Sequence, residues 1–141
     1  MDPFVGDWNI DTWTPNERIE FEGIPEDGFL VQGTLTITQP VPEVNLFNAQ
    51  WLNQVNSLVT VSGLERVPET PDFPPFLQGL GVLVNFAGRG VVCNLTLALT
   101  TESTLDGSIS LTENFGGAPD TGSGTFTAQA SSGNNTYARR P

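Results

Sequence analysis

Phe4-Val5-Gly6-Asp7-Trp8-Asn9-Ile10 alternates along its length. Phe4, Trp8 and Ile10 fall on one side with Gly6 between them, and Val5, Asp7, Asn9 and Asp11 fall on the other. Side chains of a strand point to opposite faces with period two, so this stretch predicts a strand with an apolar face and a mostly polar one. The strand is expected from about Phe4 to Trp13, with Thr14-Pro15-Asn16 as a turn. The segments that follow repeat the alternation and predict further strands closing a barrel around this one.

Glu17 to Glu22 reads as a strand with Ile19 and Phe21 on one face and Arg18, Glu20 and Glu22 on the other. Pro25-Glu26-Asp27-Gly28 signals a hairpin turn. Phe29 to Gln39 is the next strand, with Leu35 and Ile37 opposing Thr34, Thr36 and Thr38. Val44, Phe47, Trp51, Val55 and Leu58 then recur every three or four residues, which predicts a short amphipathic helix near residues 43–56. Its asparagines are poor helix formers, so an irregular excursion is the alternative. Ser57 to Arg66 is a strand. Val67 to Gln78 holds four prolines, which cannot donate to a ladder, and reads as a loop. Leu80–Phe86 and Val91–Thr100 are strands joined at Gly88-Arg89-Gly90. The second of them places Val91, Cys93, Leu95, Leu97 and Leu99 on one face. Thr104 to Thr112 is a strand interrupted at Asp106-Gly107. Asp120-Thr121-Gly122-Ser123-Gly124 reads as loop. Gly124–Ala130 and a short Thr136–Ala138 strand complete seven to nine strands in hairpin order. The class is all-β: a single antiparallel up-and-down barrel of about eight strands over residues 1–141. About eight strands leave a lumen that side chains fill or that one small ligand occupies.

Composition fits. The 141 residues include 15 Gly and 11 Pro, and 38% are apolar, which favours many short elements around one core. Sixteen acidic residues against 5 basic ones give a net charge of −11, which disfavours nucleic acid and anionic membranes as partners. There is no His, and the single Cys93 sits in an apolar run, so no internal disulfide and no Cys/His zinc set can form. No apolar run reaches membrane-spanning length and no signal peptide follows Met1-Asp2, so the chain reads as cytoplasmic, or as secreted if it was trimmed. In a secreted chain Asn94-Leu95-Thr96 and Asn134-Asn135-Thr136 would fit the glycosylation pattern.

Phe4-Val5-Gly6-Asp7-Trp8 resembles the opening strand of calycin barrels, the lipocalins, fatty-acid-binding proteins and avidins. The resemblance covers roughly the first ten residues and the last five. It implies that Trp8 plugs one barrel end, and that Arg139 or Arg140 packs on it by cation–π contact. The chain departs from the subfamilies. Tyr137-Ala138-Arg139 reverses the Arg-x-Tyr clamp of the fatty-acid-binding proteins, and their pair of helices between the first strands is missing.

Without His or Lys, no Ser–His, Cys–His, Ser–Lys or Schiff-base mechanism can be assembled in one chain. The bases left are carboxylates and Tyr137. Three functions remain open. The first is binding of a small apolar molecule in the lumen, by a monomer or homodimer, with Trp8, Phe29, Trp51, Phe76, Phe86 and Phe126 as ligand-binding candidates or, alternatively, as ordinary core. Trp51 and Phe76 fall in the two irregular segments, and Phe73-Pro74-Pro75-Phe76 reads as a lid or a tacked-down loop. The second is a cofactor-free cyclase or isomerase, similar to the allene oxide cyclases, acting on a hydrophobic substrate whose conformation the pocket fixes. Its catalytic candidates are Glu20, Glu22 and Tyr137; if Glu20 and Glu22 face outward they are solvated surface instead. The third is a self-assembling structural subunit. No cofactor or metal is expected.

Overall fold

Cys93, Leu95, Leu97 and Leu99 are all buried, while Val92, Asn94 and Thr100 between and beside them are exposed. The strand they form, β6 (Gly90–Thr101), is one of eight in the computed structural model, which describes residues 2–17, 32–52, 58–84, 90–113 and 120–131. The others are β1 (Gly6–Glu17), β2 (Gln32–Thr38), β3 (Leu46–Leu52), β4 (Leu58–Val67), β5 (Phe76–Val84), β7 (Thr104–Glu113) and β8 (Asp120–Ala130). Each pairs antiparallel with the next, and β8 pairs back onto β1. The sheet is a closed up-and-down barrel in which each of the eight described strands has two neighbours. No helix among the described residues is long and apolar enough to cross a membrane.

The helix expected near residues 43–56 is instead β3, which pairs with β2 and β4 on its two sides. Phe47, Ala49 and Trp51 alternate inward with period two and are fully buried. The small side chain of Ala49 hid that alternation beneath a chance three-to-four spacing of the larger residues. The same finding moves Trp51 out of an irregular segment and into the barrel wall. Phe76 likewise opens β5 rather than closing a loop.

Local register shifts help to set which side chains face inward. Ile10 pairs with Ala128 and Thr12 with Thr127, so Asp11 is an extra residue in β1. A bulge of this kind reverses the alternation beyond it. Thr12 and Thr14 therefore lie on the outer wall, whereas unbroken alternation from Trp8 and Ile10 would turn them inward. The strand does not turn at Thr14-Pro15-Asn16; it continues to Glu17, with a second register shift between Pro15 and Glu17. A bulge is where a proline, lacking its N–H, is tolerated in a ladder. In β4, Val61 pairs with Ala49 and Leu64 with Phe47, and Gly63 within the insertion has φ 74°, a conformation that favours glycine.

Asp106-Gly107 does not interrupt β7, which pairs with β8 without a register shift from Thr104 to Glu113. Asp120 to Gly124 is the start of β8 and not a loop. The second glutamate-bearing strand, the turn at residues 25–28, the Gly88-Arg89 part of the next turn and the short closing strand at 136–138 lie outside the described residues.

Candidate functional site

The two barrel ends differ. At one end β1, β3, β5 and β7 begin and β2, β4, β6 and β8 finish, and residues 2–5 cross it. Asp2 folds this segment back: its carbonyl accepts from Val5 N at 3.0 Å and its Oδ1 accepts from Phe4 N at 3.0 Å. An Asp side chain that binds the backbone two residues on is a turn-former. The turn drives Phe4 into the barrel end, where it is fully buried. Its ring meets Phe47 at a centroid distance of 6.4 Å and an angle of 57°, a tilted arrangement that suits the ring quadrupoles. Trp8 Nε1 donates to the Phe4 carbonyl at 3.0 Å. The Arg66 guanidinium lies 5.6 Å from the centre of the Phe4 ring, and Arg66 Nε lies 2.9 Å from Asp2 Oδ2 as an ion pair outside hydrogen-bond geometry. Asn45 fixes the arginine's backbone by donating from Nδ2 to the Arg66 carbonyl at 2.9 Å.

A cation over a plug at the barrel end is thus present, but it is Arg66 from β4 on Phe4. Arg139 and Arg140 lie outside the described residues. Replacing Arg66 with methionine keeps the stem and removes both charge contacts. It is expected to lower stability by about 1 kcal/mol, since the pair is part-exposed and screened. Urea denaturation checks this, and the difference from wild type should shrink in high salt.

Above the plug the interior is dry. Phe4, Leu35, Ile37, Phe47, Ala49, Val61, Leu64, Leu77, Cys93, Leu95, Leu97, Leu105 and Ala128 have no accessible surface. A void large enough for water beside any of these side chains would give it accessible surface, so side chains fill this part of the lumen. Of the ligand-binding candidates, the structure brings Trp8, Trp51 and Phe126 together in this core, and leaves Phe76 half-buried at the sealed end, at the start of β5. Phe29 and Phe86 lie outside the described residues, as do Glu20, Glu22 and Tyr137.

The opposite end gathers Glu17, Gln32, Leu52, Leu58, Val84, Gly90, Glu113 and Asp120, the other ends of the eight strands. Trp51 pairs with Val59, and Cys93 with Gly81, on the side of the core toward this end. Among the described residues Ser131 is the one buried polar side chain, and it follows β8 at the sealed end. The Cys93 thiol is buried, and loss of solvation pushes its pKa up to about 12. It is therefore neutral and a poor nucleophile. It should resist alkylation at pH 8 in the folded protein and react at once in urea. Ionisation in the unfolded chain near pH 9.0, well below the native value, means that stability falls as pH rises from 9.0 toward about 12. A Cys93→Ala variant should lose that part of the alkaline slope.

The described residues contain no group of three or more His, Cys, Asp or Glu able to hold a metal. Sequence reasoning missed Arg66 and Phe47 as parts of the plug. Nothing in their local spacing marks them, because both reach Phe4 only through closure of the sheet. Compared with known proteins, the chain matches no family model, no curated protein and no solved structure.

Proposed function

We propose that this barrel binds a small apolar molecule at the end opposite the Phe4 plug, as calycin-like barrels do. The observation that carries the reading is a closed barrel, sealed at one end, whose described inward positions are apolar. The dry core sets the floor of the site at Trp51, Val59 and Cys93. Apolar contact there would supply affinity at about 25 cal/mol per Å² of buried surface. Binding is preferred to turnover because the described inward positions carry no acid or base, and the cyclase reading rests on Glu20, Glu22 and Tyr137 alone.

Native mass spectrometry of freshly purified protein, followed by titration with Nile red, tests the reading. The expected result is a monomer or dimer that carries added mass or takes up one Nile red per chain, with energy transfer from tryptophan. A Val59→Trp variant, which crowds the floor, should fold and lose the dye. No added mass together with no saturable uptake would overturn the proposal. A large symmetric assembly free of ligand would favour the structural-subunit reading instead.

A further inference from the structure

The outer wall across β6, β7, β8 and β1 carries a shallow concavity of about 470 Å³. The strand registers place its outward side chains in two rows. Ala98, Asp106, Thr127 and Thr12 pair in turn across the four strands, and Thr96, Ser108, Thr125 and Thr14 form the second row. Neighbours in a row are about 4.8 Å apart and the rows about 6.7 Å apart, so the grid measures roughly 14 by 7 Å. The Asp11 bulge creates one quarter of it by turning Thr12 and Thr14 outward.

The chemistry of the grid is narrow. Six of its eight side chains are hydroxyls, one is a carboxylate and one is a methyl. Among the described residues no cation lines it, so they offer an anionic ligand no counter-charge. One carboxylate alone, without clustered partners, is a weak trap for a cation. Thr12 and Thr127 share a hydrogen bond of 2.7 Å and so hold each other's rotamers. The grid stands on a closed sheet, so the backbone that carries its polar side chains is ordered before any ligand arrives.

We infer that this face is a binding site for a neutral saccharide of about two sugar units. Hydroxyls both donate and accept, and so match the alternating donors and acceptors of vicinal diols. Asp106 accepts from two adjacent sugar hydroxyls in charge-assisted bonds. Ala98 and the threonine methyls meet the C–H face of the ring. The site lies on the outside of the wall, so its success or failure is independent of the apolar-ligand reading.

Amide-resolved NMR of the protein titrated with cellobiose, maltose and chitobiose, with spermidine as the cationic control, tests it. The expected result is saturable shifts at the amides of the grid with at least one saccharide. Asp106→Ala should weaken binding about tenfold, the loss of charge-assisted hydrogen bonds, and Thr125→Val about threefold. Both side chains are exposed, so the melting temperature should stay unchanged and report an intact fold. The inference is overturned if no saccharide gives saturable shifts, if the shifts lie elsewhere, if both variants bind as wild type does, or if only spermidine binds.

Discussion

Gly107→Ala should lower the unfolding free energy by about 3 kcal/mol, a large effect for one methyl group. Gly107 is buried on the inward face of β7, paired directly with Phe126 of β8. A β-carbon there would overlap Cζ, Cε1 and Cε2 of the Phe126 ring. The ring occupies the space that the missing side chain leaves, and Leu105 and Ile109, two residues to either side on the same face, are buried beside it. A ring held in a filled core cannot step aside without displacing its neighbours. Shortening it should therefore relieve the clash: Gly107→Ala with Phe126→Leu should be more stable than the sum of the two single changes predicts, by about 1 to 2 kcal/mol of coupling. Chemical denaturation of the four proteins measures this. A Gly107→Ala variant within about 0.5 kcal/mol of wild type would show that the ring moves freely, contrary to a packed interior.

This glycine also shows where sequence reading stops. Asp106-Gly107 is a turn dipeptide by local chemistry, and the sequence alone places a break there. Its reason for being glycine comes from a residue on the next strand, visible only once the register is known. Strand β6 was legible because its inward residues are all large or sulfur-bearing and nothing interrupts their period. Strand β3 was not, because one inward position is alanine. The bulges at Asp11 and Gly63 were invisible for a related reason: an inserted residue shifts the phase of the alternation, and only the partner strand shows the shift. The barrel itself followed from strand number and turn spacing, which are local. The plug and the hydroxyl grid depend on β8 meeting β1 and on β4 reaching the N-terminal segment, which no local pattern records. Thr12 and Thr14 of the grid were not readable as outward residues, because unbroken alternation from Trp8 and Ile10 turns them inward, and no local pattern records the assembly of the rows.

The largest single loss should come from Trp8→Ala, at about 4 kcal/mol, with Trp8→Phe costing about 2 kcal/mol. Trp8 is buried and does two things at once. Its ring fills the core, and its Nε1 holds the carbonyl of Phe4, the residue that seals the barrel end. Alanine removes both and leaves a cavity that a rigid closed sheet cannot collapse around. Phenylalanine restores most of the volume but leaves the Phe4 carbonyl buried without its donor. The two variants therefore separate packing from anchoring. If anchoring matters, Trp8→Phe should also loosen the N-terminal turn, so that the amides of Phe4 and Val5, which are held by Asp2, exchange faster with solvent than core amides do. It should then share energy with Arg66→Met: the double variant would lose less than the sum of the singles, because a plug already released no longer offers its ring to the guanidinium. Strict additivity, with unchanged exchange at Phe4 and Val5, would mean that Trp8 serves the core alone and that Arg66 and Asp2 close the barrel end without it.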